Sequence, residues 1–403
     1  MFNPLAARID VIADVLVLCP TQDFLFLGSV GKAWKTAWVA VGRAKNTSIG
    51  LAAATQARTE WALDDSSFWG VARRRGGVFC LTARAGNLGG LQAAAKVCGG
   101  EWNRQDGARQ VIELAAESGH LNMIRWAREQ GCPWGEQTCA SAALGGHPEI
   151  LRWLKEQGCP WDKLTCQFLA KDGHLEVLKW AREMCCPWDE STCHAAAEGG
   201  HLELLKWARS QDCKWDAETC SRAALGGHLD VLQWLVRQNC PMGNHACSRA
   251  AAEGGHLGVL NWLKSKGRWS AWDACSSAAS GGHLEVIKWA RQQGCDWDEA
   301  TCYSAAGGGH LEVLKWVRSE GCPWNESTCD YAARGGHLEV LQWARMQGCP
   351  WDEVTSVYAT EVGHLRMLKW AVEQGCPWNR ETCLLAAEKT GDGELVSWIK
   401  QQG

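Results

Sequence analysis

At 403 residues with 46% hydrophobic content, the chain is long enough to bury a sizeable interior and would ordinarily divide into two or three globular domains. Its formal net charge of −4 and isoelectric point near 6.3 supply no basic field for nucleic acid or anionic lipid, so partners of those two kinds are not expected. The 26 Trp, 22 Cys and 44 Gly, set against three Tyr and six Phe, point to one small element copied many times.

In chain order, residues 1–20 carry Arg8, Asp10 and Asp14, which interrupt any signal-peptide apolar region. No apolar run reaches the roughly 18 residues that a membrane helix needs. The expected address is the cytoplasm, with the nucleus as an alternative, which makes the cysteines thiols rather than disulfides. The stretch Leu18-Cys-Pro-Thr-Gln-Asp23-Phe-Leu-Phe-Leu27-Gly-Ser-Val30-Gly-Lys32-Ala-Trp34-Lys resembles an F-box. That family shows Leu-Pro-x-x-Asp-Leu-x-x-Leu and then Val-Cys-Lys-x-Trp. Here Gly31 replaces the cysteine and the usual Leu-Pro-x-Glu opening is not clear. The resemblance implies a small helical hairpin that docks a scaffold subunit of a ubiquitin ligase; the plainer reading is a helical cap. Residues 1–45 are thus read as a small helical region. Residues 46–75, Ala-rich with Trp61 and Trp69, are read as a connector or eroded repeats.

Residues 76–403 are periodic. Gly-His pairs place histidines at 120, 147, 174, 201, 228, 256, 283, 310, 337 and 364; eight of nine intervals are 27 residues and one is 28. Degenerate copies at both ends, with Asn87 and Asp392 in the histidine's place, bring the array to about twelve units with atypical ends. In one clean copy a short helix is predicted from about Asp189 to Ala197, capped by Asp189 and ended by Gly199-Gly200. A second helix starts near His201, with apolar residues at +1, +3, +4, +6 and +7 from the histidine: Leu202, Leu204, Leu205, Trp207 and Ala208. That stripe suits a helix covered by neighbours on both sides, with charges at +2 and +5, such as Glu176 and Lys179, left outside. Glycine at +11, as at Gly131 or Gly348, ends the helix. Pro148 falls in a first turn, where it is tolerated. Proline at +13 stops continuation, and the tryptophan at +14 is expected to wedge against the next repeat. No alternating apolar run predicts a strand.

The stretch Ala-Ala-x-Gly-Gly-His-Leu-Glu-Val-Leu, ending in Gly-Cys, resembles the core of the ankyrin repeat, with Thr192-Cys193 where the family has the Pro-Leu of Thr-Pro-Leu-His. The family repeat runs about 33 residues. The six positions missing here fall where the family builds its β-hairpin finger. The resemblance therefore implies an all-α solenoid of helix-turn-helix repeats with trimmed or absent fingers.

The chemistry-bearing residues are themselves periodic. Cys132 and Cys139, or Cys159 and Cys166, recur seven apart with a histidine eight further on, so a Cys/Cys/His metal array is conceivable. Zinc ligands usually pair two to four residues apart, however, and small buried cysteines fill space between helices well. A Cys–His nucleophile copied some ten times is not an active site, and no phosphate-binding Gly-rich loop is present, so no enzyme and no cofactor is expected. The histidines are expected to cap the second helix, and the +6 tryptophans to pack in the core.

Protein–protein interaction remains, as a scaffold or, with the N-terminal segment, as a substrate adaptor. Positions that vary between otherwise similar copies are free for recognition, and the ankyrin resemblance implies that the first helices line a concave groove. Phe168, Arg222 and Arg249 stand at such positions. All three tyrosines, Tyr303, Tyr331 and Tyr358, lie in consecutive first helices, with Asp330, Arg334 and Glu361 as candidate polar partners. Tyr and Arg are favoured at binding hot spots. The plainer reading is that these tyrosines fill space beside smaller neighbours.

Overall fold

Asp and Asn residues ahead of the first helices set where each repeat begins. The side chains of Asp162, Asp216, Asp298, Asn325 and Asp352 each accept a hydrogen bond from the backbone N–H two residues on, satisfying a donor that a helix start leaves open. The computed structural model describes residues 77–97, 106–243, 245–271 and 273–402. The F-box-like segment and the connector, residues 1–45 and 46–75, lie outside the described residues.

Two compact units are formed, the first ending at Asp189 and the second beginning at Glu190. The first contains α1 (Gly77–Arg84), α2 (Leu88–Val97), α3 (Asp106–Glu117), α4 (Leu121–Glu129), α5 (Glu136–Leu144), α6 (Pro148–Glu156), α7 (Lys163–Lys171) and α8 (Leu175–Glu183). The second opens with α9 (Glu190–Glu198), α10 (Leu202–Ser210), α11 (Ala217–Leu225), α12 (Leu229–Arg237), α13 (Ala246–Glu253), α14 (Leu257–Ser265), α15 (Ala274–Ser280) and α16 (Leu284–Gln292). It continues through α17 (Glu299–Gly307), α18 (Leu311–Ser319), α19 (Glu326–Arg334), α20 (Leu338–Met346), α21 (Glu353–Glu361), α22 (Leu365–Glu373), α23 (Arg380–Thr390) and α24 (Gly393–Gln401). Odd-numbered helices are the first helices of the repeats. Within each compact unit every first helix packs on its own second helix and on the first helices of its neighbours, α17 against α15 and α19 for example.

The architecture is an all-α, ankyrin-like stack of helix-turn-helix repeats, with no strand among the described residues. Among the described residues the fingers are absent: Trp161 is followed at once by the cap Asp162 and then by α7.

The alanines and the cysteine of the first helix, Cys193 and Ala195 to Ala197, are buried against +3, +4 and +7 of the second, Leu204, Leu205 and Ala208. Burying one such leucine contributes about 2 kcal/mol. The stripe is narrower than the sequence suggests, because Leu202 and Trp207 at +1 and +6 are only half-buried. Charges at +5 and +2 do lie outside, paired across one turn as in Lys179–Glu176, Lys288–Glu285 and Lys315–Glu312. Such exposed pairs are each worth a few tenths of a kcal/mol.

The second helices end on glycine with positive φ, Gly348 at +82° for instance. At the same register Cys185, Asp212 and Asn239 take left-handed backbone (φ 58–60°) without being glycine, a conformation costing such residues about 1–2 kcal/mol.

Candidate partner-binding face

What holds successive repeats in register also decides which side chains are left for a partner. The repeat histidines do not cap their own helices with the side chain. Their backbone carbonyl opens the second helix, as in the bond from Leu341 N–H to His337 O. The imidazole turns back instead to the carbonyl closing the first helix of the preceding repeat. His120 Nε2 lies 3.0 Å from Arg84 O, His147 Nε2 3.1 Å from Glu117 O, His256 Nε2 2.8 Å from Leu225 O, His310 Nε2 2.9 Å from Ser280 O, and His337 Nε2 3.1 Å from Gly307 O. A carbonyl only accepts, so Nε2 carries the proton. Burial pushes the His283 and His364 imidazoles below the usual histidine range, which keeps them neutral.

This stitch explains Gly-Gly-His. A Cβ on the first glycine would strike the acceptor carbonyl, at 2.5 Å for Gly335 against Gly307 O. The second glycine supports the next histidine ring, so a Cβ on Gly309 would fall 2.6 Å from His337.

The loop tryptophan is a wedge, as its place after proline suggests. Trp134 meets Trp153 of the next repeat edge to face at 6.0 Å, and Trp161–Trp180, Trp297–Trp316, Trp324–Trp343 and Trp351–Trp370 repeat the arrangement. The cation of its own repeat covers the ring, as with Arg318 at 4.1 Å from Trp324 and Arg345 at 4.1 Å from Trp351. The half-buried +6 tryptophans thus belong to the seams between repeats and not to the core.

On the first helices of the second compact unit the structure brings four of the expected residues into two pairs. Tyr303 of α17 and Tyr331 of α19 stack with ring centroids 4.8 Å apart and planes at 26°. The Arg334 guanidinium lies 5.6 Å from the centre of the Tyr358 ring on α21. Tyr331 is 38% exposed despite its stack. It leans over Gly307, whose missing side chain leaves room for it: a Cβ there would touch Tyr331 Cβ and Cδ1 at 3.4 Å. Filling space beside a small neighbour therefore accounts for where Tyr331 sits, though not for its exposure. Burial pushes the Tyr303 phenol up.

Asp330 does not join this face. It is 6% exposed, and its Oδ1 accepts a hydrogen bond from Thr355 Oγ1 at 2.6 Å, inside the seam between α19 and α21. The reason is angular: neighbouring helix residues point about 100° apart, so Tyr331 faces out and Asp330 faces the next helix. Glu361 is exposed on α21, and Arg334 stands over Tyr358 rather than pairing with it. Arg222 is tied to Glu218 at 2.7 Å and to Glu198 at 3.2 Å. Arg249 is exposed on α13, separated from Tyr303 by all of α15. Phe168, half-buried, belongs to the first compact unit.

Sequence reasoning missed two apolar neighbours of the tyrosine register. Leu385, two residues after Cys383 as Tyr331 is after Cys329, is 63% exposed; Val362, where other repeats have the first glycine, is 46% exposed. The first was legible as a register match; the second was hidden by treating that position as framework.

Among the described residues no group of three or more His, Cys, Asp or Glu is placed to hold a metal ion, and no helix is long and apolar enough to cross a membrane. The thiols find partners 20 residues on, as Cys302 does with Cys322, and not at the spacing of seven that a Cys/Cys/His array would use.

These elements define a helical repeat protein with one exposed tyrosine, Tyr331, on its first helices. No family profile matches the sequence, and no curated protein matches it. Among solved structures, the chain is similar to the human ASB11 ankyrin repeat domain at 20% identity, covering 39% of this chain and 84% of that one, with a TM-score of 0.30. It is also similar to the pentatricopeptide repeat protein PPR10, solved in complex with an 18-nt psaJ RNA element, at 14% identity over 97% of this chain and 68% of that one, with a TM-score of 0.33.

Proposed function

We propose that the chain is a protein-binding module without catalytic activity, and that the face formed by Tyr303, Tyr331, Arg334 and Tyr358 is its contact surface. One observation carries the reading. In an array whose framework is fixed by stacking, the only tyrosines of the chain gather on three consecutive first helices, and Tyr331 is left exposed. Stacked aromatics present a large rigid area with little entropy to lose, which suits a hot spot. Val362, just past α21, and Leu385 on α23 are further exposed apolar residues, while Arg334 and Glu361 supply polar contacts.

The test is affinity capture with the full chain from its native extract, followed by titration of the recovered partner. Substituting Tyr303, Tyr331 and Tyr358 together by Ala is expected to weaken binding at least about tenfold, with circular dichroism and the melting curve unchanged in form. Undiminished affinity in a folded triple variant overturns the assignment of the face.

The F-box-like residues between Leu18 and Trp34 support a narrower reading, a substrate adaptor whose N-terminal segment docks a ubiquitin-ligase scaffold subunit in the cytoplasm or nucleus. Removing residues 1–45 would then eliminate ligase subunits from the capture and leave other partners. Recovery of the same proteins with and without the segment, and no ligase, rejects the adaptor role.

A further inference from the structure

Thiol pairs recur along the stack. The Cys of the first helix hydrogen-bonds with the Cys 20 residues on, as in Cys139–Cys159, Cys193–Cys213, Cys220–Cys240, Cys275–Cys295, Cys302–Cys322 and Cys329–Cys349. One pair stands apart. Cys275 Sγ and Cys295 Sγ are 3.0 Å apart, within about 1 Å of the disulfide bond length of about 2.05 Å.

Its surroundings are also the least regular. Most of the loop cysteines precede proline, whereas Cys295 precedes Asp296, a fully exposed residue. Cys275 sits in the first turn of α15, which at seven residues is the shortest described helix. The residue before that helix, Asp273, has left-handed backbone (φ 56°) and gives no side-chain cap, unlike the extended, hydrogen-bonding Asp298 ahead of α17. The preceding turn, Gly267-Arg268-Trp269-Ser270, lacks the usual Gly-Cys-Pro-Trp. Cys295 Sγ is further held by the carbonyls of Ala271 at 3.1 Å and Asp296 at 3.3 Å, while Arg291 Nη1 donates to Cys295 O at 2.6 Å.

We propose that Cys275 and Cys295 form a redox-modifiable dithiol, closed to a disulfide by a peroxide and reopened by a thiol reductant. The Cys275 hydrogen bond and the nearby Arg291 cation hold the Cys295 thiol down at about 7, against burial. The lowered value favours the Cys295 thiolate, and the thiolate is the nucleophile. Opening of the uncapped first turn of α15 admits the oxidant. The Cys295 thiolate attacks the peroxide; an S–O bond forms, the O–O bond breaks, and the departing hydroxide takes a proton to become water, leaving a sulfenic acid. Cys275 sulfur then attacks the sulfenic sulfur. The S–S bond forms, the S–O bond breaks, and the Cys275 proton leaves in a second water. Two thiols lose two electrons and one hydrogen peroxide becomes two waters. The proposal is independent of the partner-binding reading.

The test uses the reduced full-length protein, graded hydrogen peroxide, alkylation of remaining thiols, and peptide mass spectrometry without reduction. A peptide pair joined through Cys275 and Cys295 is expected at about tenfold less peroxide than any Cys302–Cys322 or Cys329–Cys349 link, and dithiothreitol should remove it. In Cys275→Ser, Cys295 should instead accumulate as a dimedone-reactive sulfenic acid. The exposed Cys185 serves as internal standard. If Cys185 oxidises while the 275–295 link is absent, or if that link forms no earlier than the other pairs, the proposal is overturned.

Discussion

Replacing Asp330 by Asn is expected to reverse sign in its effect on stability between acid and neutral pH. The carboxyl is pushed up from 3.8 to about 6, first by burial, with Asp352 and Glu326 adding to the rise and the Thr355 hydrogen bond opposing it. A carboxyl whose folded pKa exceeds its unfolded value binds more protons when folded. Its contribution is therefore complete below about pH 4, declines as pH rises to about 6, and is level beyond. Roughly two pH units at about 1.36 kcal/mol each bring the decline to ~3 kcal/mol. Asparagine keeps an oxygen for Thr355 Oγ1 and removes the charge, but its amide hydrogens need partners in the seam, at a cost of ~1 kcal/mol. The variant should thus be ~1 kcal/mol less stable than wild type at pH 4 and ~2 kcal/mol more stable at pH 7. Urea titrations followed by tryptophan fluorescence from pH 4 to 8 measure this, because the difference between the two proteins cancels every other titrating group. Thr355→Val, which removes the opposing hydrogen bond, should carry the decline to higher pH. Parallel pH profiles for wild type and Asp330→Asn would refute the argument that an ionisable carboxyl is held in this seam.

Three further outcomes are expected. Gly335→Ala, whose backbone is helical (φ −75°) but whose Cβ would meet both Gly307 O and His337 Cδ2 at 2.5 Å, should cost ~3 kcal/mol by overpacking; Gly348→Ala, with φ +82° and open space around it, should cost only the ~1 kcal/mol of left-handed backbone. Equal melting temperatures for the two would contradict a steric role for the Gly-Gly-His turn. Tyr331→Ala should lower stability by only ~1 kcal/mol, the scale of one aromatic stack, while removing most partner affinity; a calorimetric loss of several kcal/mol would mark it as core. Oxidation of Cys275 and Cys295 closes a loop of about 20 residues and should stabilise the second compact unit by about 3 kcal/mol, read as a shift in urea midpoint that dithiothreitol reverses.

The helix pairs were legible because each boundary carries its own local chemistry: Asp or Asn before the first helix, glycine after both, proline beyond. Contacts between repeats were far less so. His337 displays a Gly-Gly-His motif, but its acceptor lies 30 residues earlier, and no local rule tells a histidine whether to cap its own helix or reach backward. Cysteines seven apart drew attention as possible ligands, whereas the thiols that meet are 20 apart, on opposite ends of the same repeat. Tyr303, Tyr331 and Tyr358 were found by counting along the register. Asp330 was misplaced because variability marked its position as free, when one residue's turn of the helix directs it into the seam. The +6 tryptophans were assigned to the core on hydrophobicity alone, although a ring that large also suits the edge of a stack.

The backward-reaching histidine gives synthesis a direction. Five first helices are locked at their C-terminal carbonyl by an imidazole 30 to 36 residues further along the chain, as Gly307 is by His337 and Ser280 by His310. A ribosome releasing about 5–20 residues per second therefore leaves the newest repeat unlatched for ~2–6 s, until the following one emerges to close it. Growth from the N-terminal end thus closes each of these repeats one step behind its own synthesis, while the repeat ahead of Asp392, where no histidine stands, lacks the imidazole latch.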